Sequence, residues 1–153
     1  MLRDDGPLVP IAGATDLYVS LNFGTLAATR FLDLWPLEPL RRIETRGAIL
    51  SIGALATYTS LTRSRLVKQR VPMLIEAARQ IGGLQIQNRG TVGGNIANGS
   101  PAGDTLPVLA AVDATVVARR SVFTDSATAA AVGSSNGGEL GSARALARSC
   151  SRS

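Results

Sequence analysis

The chain has 153 residues, 45% of them hydrophobic and 18% charged, a balance that fits one ordinary soluble domain long enough to bury a core. A single cysteine, Cys150, and the lack of histidine leave no ligands for a disulfide framework, a Cys/His zinc site or an iron–sulfur cluster, and no base for a histidine-dependent triad. Sixteen basic against eleven acidic residues raise nucleic acid as a partner, but the arginines are scattered from Arg3 to Arg152 and only 4% of residues are aromatic, so stacking platforms are scarce and that partner is set aside.

No apolar run approaches the roughly 20 residues that cross a bilayer, and the opening Met1-Leu2-Arg3-Asp4-Asp5-Gly6-Pro7 places acids where a signal peptide is apolar. A soluble, cytoplasmic protein without membrane contact is expected. Residues 8–12 read as a strand, Gly13 as a tight turn, and Thr15 and Asp16 as the first turn of a helix, a junction that points free backbone N–H groups outward. Residues 30–34 read as a strand. Residues 40–45 and 48–53 read as a hairpin about Arg46-Gly47.

Residues 57–70 predict one helix, whose basic stretch at 63–70 reads as a solvated face, and Pro72 opens a second helix over 73–81, ended by Gly82-Gly83. The stretch 90–104, Gly-Thr-Val-Gly-Gly-Asn-Ile-Ala-Asn-Gly-Ser-Pro-Ala-Gly-Asp, fits neither period and reads as a loop. Long structureless loops inside a domain are uncommon unless functional. Asp104 is placed to cap a short helix over 106–111, and residues 115–118 read as a strand. Of the 33 residues from 121 to 153, 19 are Ser, Ala or Gly, a composition that buries little and predicts disorder or ragged helix outside the fold.

Two glycine-bearing turns carry the chemistry: Ala12-Gly13-Ala14-Thr15-Asp16 and, some 80 residues later, Thr91-Val92-Gly93-Gly94-Asn95. A pyrophosphate needs several backbone N–H donors within hydrogen-bonding distance, and side chains larger than hydrogen or methyl block that approach. Both turns meet the steric demand. Each by itself also reads as plain punctuation or a solvated Gly/Asn/Ser loop. Neither fits G-x-G-x-x-G or G-x-x-x-x-G-K-[ST], which disfavours a Rossmann fingerprint and a nucleotide-hydrolysing P-loop.

Taken together, Ala12-Gly13-Ala14-Thr15-Asp16-Leu17 and the whole of 90–104, with Leu50-Ser51-Ile52-Gly53-Ala54 and Gln85-Ile86-Gln87-Asn88-Arg89 between them in order, closely resemble the FAD-binding domain of molybdenum hydroxylases. The likeness covers roughly residues 8–118. It is nearest to the flavin-bearing small subunit of bacterial xanthine dehydrogenase and more distant from the medium subunit of carbon monoxide dehydrogenase. It implies an α+β, two-lobed FAD-binding domain of the p-cresol methylhydroxylase/vanillyl-alcohol oxidase type, with FAD extended between the lobes.

By the same resemblance, Ala12, Gly13, Ala14, Thr15, Asp16 and Leu17 hold the FAD diphosphate and neighbouring groups, and Thr91, Gly93, Gly94 and Asn95 approach the diphosphate and ribityl chain from the second lobe. Asp104 serves the ribityl hydroxyls or flavin region, and Ile81 or Leu84 supplies apolar contact near the ring. No catalytic acid or base is expected, because the flavin carries the hydride chemistry. Iron–sulfur and molybdopterin subunits or domains are the implied partners, with NAD or another acceptor taking the electrons.

Where relatives often carry a second glycine, this chain has Ala14, whose methyl opposes a positive φ. Against the family pattern, residues 1–120 read as a partial FAD-binding domain, incomplete at both ends. Residues 121–153 read as a low-complexity tail, suggestive of a shifted reading frame in a gene whose product has fifteen arginines and one lysine. The alternative reading is a truncated, non-catalytic fragment that no longer retains flavin.

Overall fold

A computed structural model of the chain describes residues 8–99, 104–118 and 144–148. Val9–Ile11 (β1), Thr15–Asn22 (α1) and Phe31–Asp33 (β2) form a β-α-β unit in which the strands pair in parallel, Val9 opposite Phe31 and Ile11 opposite Asp33. A 3-10 turn at Glu38–Arg41 leads into the hairpin of Ile43–Arg46 (β3) and Ile49–Gly53 (β4). Six helices follow: Tyr58–Arg63 (α2), Arg65–Arg70 (α3), Pro72–Gln80 (α4), Leu84–Arg89 (α5), Val92–Asn98 (α6) and Leu106–Ala111 (α7). Thr115–Val117 (β5) and Arg144–Arg148 (β6) complete an antiparallel sheet of order β3-β4-β6-β5.

The hydrophobic core lies between this sheet and the helices. Leu50 and Ile52 of β4 pack with Leu61 of α2, Val67 of α3, Leu74, Ile75 and Ala78 of α4, and Val92 of α6. Each fully buried Leu or Ile stabilises the fold by about 1.5–3 kcal/mol relative to exposure. The chain is thus a mixed helix-and-strand fold with two separate sheets, as an α+β reading requires.

Four expectations are corrected. The helix expected over 57–70 is two, because Ser64 leaves the helical region (ψ 120°) and its side chain caps the second by accepting from the N–H of Val67 at 3.4 Å. Much of the supposed loop at 90–104 is helix α6, and 84–89 forms α5. Helix α7 is capped at Thr105 rather than Asp104, and Thr105 turns its hydroxyl to donate to Asn95 Oδ1 instead of closing the helix end. Finally, Arg144–Arg148 lies in a stretch expected to stand outside the fold, yet its backbone pairs with both β4 and β5. The rest of the expected tail lies outside the described residues.

Candidate functional site

The two glycine turns meet. β1 ends at Ile11, and the chain folds over Gly13 and Ala14 into α1; Ala14 takes the left-handed conformation, φ 66°, that its methyl opposes. Gly13 is buried so tightly that a Cβ there would fall 1.8 Å from the carbonyl oxygen of Arg89, at the end of α5. The Arg89 guanidinium stacks on the Trp35 ring with its carbon 3.9 Å from the centroid, and Arg41 packs on the same ring at 4.0 Å. The β-α-β unit is thereby fixed against the segment leading into α6.

On the other side, residues 54–58 and 90–93 run together like a short ladder. Thr57 bridges Thr91, the N–H of Tyr58 donates to the Gly90 carbonyl at 3.3 Å, and those of Val92 and Gly93 donate to Ala56 and Ala54 at 3.0 and 2.8 Å. A Cβ on Gly93 would sit 2.7 Å from that of Ala54, so this glycine serves close packing rather than a ligand.

Between the turns lies a cavity of about 180 Å³. Among the expected residues, Ala12, Gly13, Ala14, Thr15, Asp16, Leu17, Thr91, Gly94 and Asn95 line it, while Gly93 and Asp104 do not. Asp104 is exposed but near enough to act electrostatically on Tyr58. Ile81 is a core residue and Leu84 is exposed on α5, neither on the lining.

The turns differ as donors. Among the described residues, no acceptor takes the N–H groups of Gly13, Ala14, Thr15, Asp16 and Leu17, and Ala14 offers no side-chain cap to α1. Such orphan N–H groups carry the partial positive charge of a helix start. In the second turn they are consumed: besides Val92 and Gly93, Gly94 donates to Thr91 Oγ1 at 3.1 Å and Asn95 to the Thr91 carbonyl at 3.0 Å. That turn contributes space and the side chains of Asn95 and Asn98. The Asn98 amide donates to Asp16 Oδ1 at 3.3 Å across the cavity.

Among the described residues, no lysine or arginine lines the cavity, and Asp16 is its one charged lining residue. Sequence reasoning missed Tyr58. It is 3% exposed and lines the same cavity; burial first, and then the charges of Asp16 and Asp104, push its hydroxyl up to about 12. A tyrosine just after a helix cap reads as an ordinary core residue, so nothing in the sequence singles it out.

The profile of the family described as FAD binding domain in molybdopterin dehydrogenase matches residues 1–131. The chain belongs to this family. It is 38% identical over 108 residues to the glyceraldehyde dehydrogenase medium chain of Sulfolobus acidocaldarius, covering 71% of this chain and 38% of that one. It is 33% identical over 106 residues to the xanthine dehydrogenase FAD-binding subunit of Escherichia coli O157:H7, covering 69% and 36%. Among solved structures, carbon monoxide dehydrogenase from Hydrogenophaga pseudoflava superposes with a TM-score of 0.70 at 33% identity, covering 72% of this chain and 39% of that one. The chain therefore spans less than two fifths of the length of each of these relatives.

The residues present fit the FAD of this family. Five adjacent N–H groups without acceptors suit a diphosphate, and the hydrogen or methyl side chains of Ala12, Gly13, Ala14 and Gly94 leave it room. The cavity is below the roughly 300–1,000 Å³ of a whole ligand pocket, a size that suits a diphosphate and adjoining carbons better than a complete dinucleotide.

Proposed function

We propose that this chain is an FAD-binding module of a xanthine-dehydrogenase-like molybdenum hydroxylase, and that it holds the FAD diphosphate at the β1–α1 turn. The observation that carries the reading is the run of orphan N–H groups from Gly13 to Leu17 in a chain of this family. When bound, FAD supplies the electron-transfer chemistry between iron–sulfur clusters and NAD or another acceptor.

The chain's own residues bind and orient. The N–H groups of the first turn take the anion, Gly94 keeps the facing wall low, and Asp16 and Asn95 are the polar side chains for ligand hydroxyls. Asp104, outside the cavity, belongs to the ribityl or flavin end of the same extended site. The p-cresol methylhydroxylase-type arrangement, the cytoplasmic setting, and iron–sulfur and molybdopterin partners belong to this reading. The naming of relatives as medium chains and FAD-binding subunits supports the partner subunits in this reading. Among the described residues, no helix is long and apolar enough to cross a membrane.

The test is titration of the full chain with FAD, read by flavin fluorescence and absorption, beside Gly94→Arg. Gly94 lines the cavity, and even a Cβ there comes within 2.9 Å of Thr91 Oγ1, so arginine must fill the space. The wild type is expected to retain flavin and the variant to bind at least about tenfold more weakly, a loss of about 1.4 kcal/mol or more. Equal and negligible retention by both overturns the proposal.

A further inference from the structure

Tyr58 is the feature of the site that the family reading does not absorb. The residue is only 3% exposed, and its hydroxyl, which makes no hydrogen bond among the described residues, is not sealed off from the cavity that Tyr58 lines. Such a hydroxyl stays open to a ligand unless a neighbouring side chain takes it up. The nearby carboxylate does not: Asp16 Oδ2 takes the Thr15 hydroxyl at 3.4 Å and Oδ1 takes the Asn98 amide at 3.3 Å.

The ring is held firmly. Its backbone N–H is tied to Gly90, the neighbouring Thr57 bridges Thr91, and the ring edge lies so close over Gly90 that a Cβ there would come within 2.6 Å of Cε2. Tyr58 thus faces the cavity from α2, while the orphan N–H groups face it from the β1–α1 turn.

Resting on the FAD reading above, we propose that the Tyr58 hydroxyl is a preset hydrogen-bond donor to the ligand's diphosphate, completing from α2 the donor set of Gly13–Leu17. The surroundings favour a donor: burial and the two carboxylates keep the phenol protonated throughout the neutral range. An anion here also needs neutral donors on more than one side, since among the described residues no lining cation offsets the charge of Asp16.

The experiment titrates the full chain and Tyr58→Phe with FAD, with ADP, and with riboflavin, which lacks the diphosphate. Phenylalanine keeps the ring, and the melting temperature without ligand verifies that the variant is folded; Tyr18→Phe, an exposed tyrosine on α1, is the control. Tyr58→Phe is expected to weaken FAD and ADP alike by about tenfold or more, with riboflavin unchanged. FAD and ADP binding equal to wild type removes Tyr58 from the donor set while leaving the FAD reading intact. An equal loss for riboflavin overturns the diphosphate assignment. A wild-type chain that binds neither FAD nor ADP overturns both proposals.

Discussion

Substituting Gly13 by alanine adds one methyl at the point where the two halves of the site touch. The new Cβ would lie 1.8 Å from the Arg89 carbonyl oxygen, 2.6 Å from its carbon and 3.2 Å from the Gly90 nitrogen. An ordinary carbon–oxygen contact is about 3.4 Å, so the backbones must part by about 1.6 Å. All three obstructing atoms are main chain, and Arg89 is held by its stack on Trp35, so no side-chain rotation relieves the clash. Overpacking of this kind costs about 1–3 kcal/mol, and the absence of a flexible neighbour places Gly13→Ala at the upper end. At roughly 4–8 °C per kcal/mol for a domain near 100 residues, the melting temperature should fall by more than about 8 °C. FAD affinity should fall with it, because the displaced turn carries the N–H donors. Gly83→Ala is the matched control, since its Cβ would meet only the end of the Gln85 side chain at 3.2 Å. Calorimetric melts and flavin titrations on the three proteins decide the matter. A Gly13→Ala protein that melts and binds FAD like wild type would refute the close approach of the two turns.

At Ala14 the left-handed backbone costs an L-residue roughly 1–2 kcal/mol, so Ala14→Gly should change stability little, relief of strain offsetting greater unfolded freedom, whereas Ala14→Val should lose about 2 kcal/mol; a valine variant as stable as wild type in urea contradicts the conformation. Tyr58 should make stability fall at alkaline pH. Its hydroxyl stands at about 12 in the folded chain against 10.0 ordinarily, so between those values the folded state keeps a proton that the unfolded state has released. The contribution is whole below pH 10 and lost as pH rises through 12. Tyr58→Phe should flatten the decline in urea midpoint over that window, and identical declines would show that Tyr58 titrates normally.

Elements with a clear local period were legible. The strand, turn and helix about Gly13 and the hairpin about Gly47 follow from alternation and turn residues, and both stand in the structure. Helix α6 was not legible, because Gly93-Gly94-Asn95 has poor helix propensity. Carbonyls of residues 54 and 56, far away in sequence, take its first N–H groups, and tertiary pairing of this kind leaves no mark on a local window. Strand β6 was hidden for a related reason: Arg-Ala-Leu-Ala-Arg lacks strand propensity, and its place comes from two neighbouring strands. At the site, the small residues showed where backbone could approach a ligand, but not which N–H groups were already spent. That division, donors at Gly13–Leu17 and none at 92–95, depends on pairings that only the folded chain displays.

Among the described residues the cavity lining has no lysine or arginine, and on the proposed function that sets the character of its hold on an anion. Attraction comes from peptide dipoles, which act over a few ångströms, rather than from full charges felt at the Debye length. On the proposed function, the described lining itself therefore adds no long-range steering, and any salt dependence of the association rate comes from the chain's net charge of +5. Such a site discriminates by fit at contact and gathers few stray anions from solution.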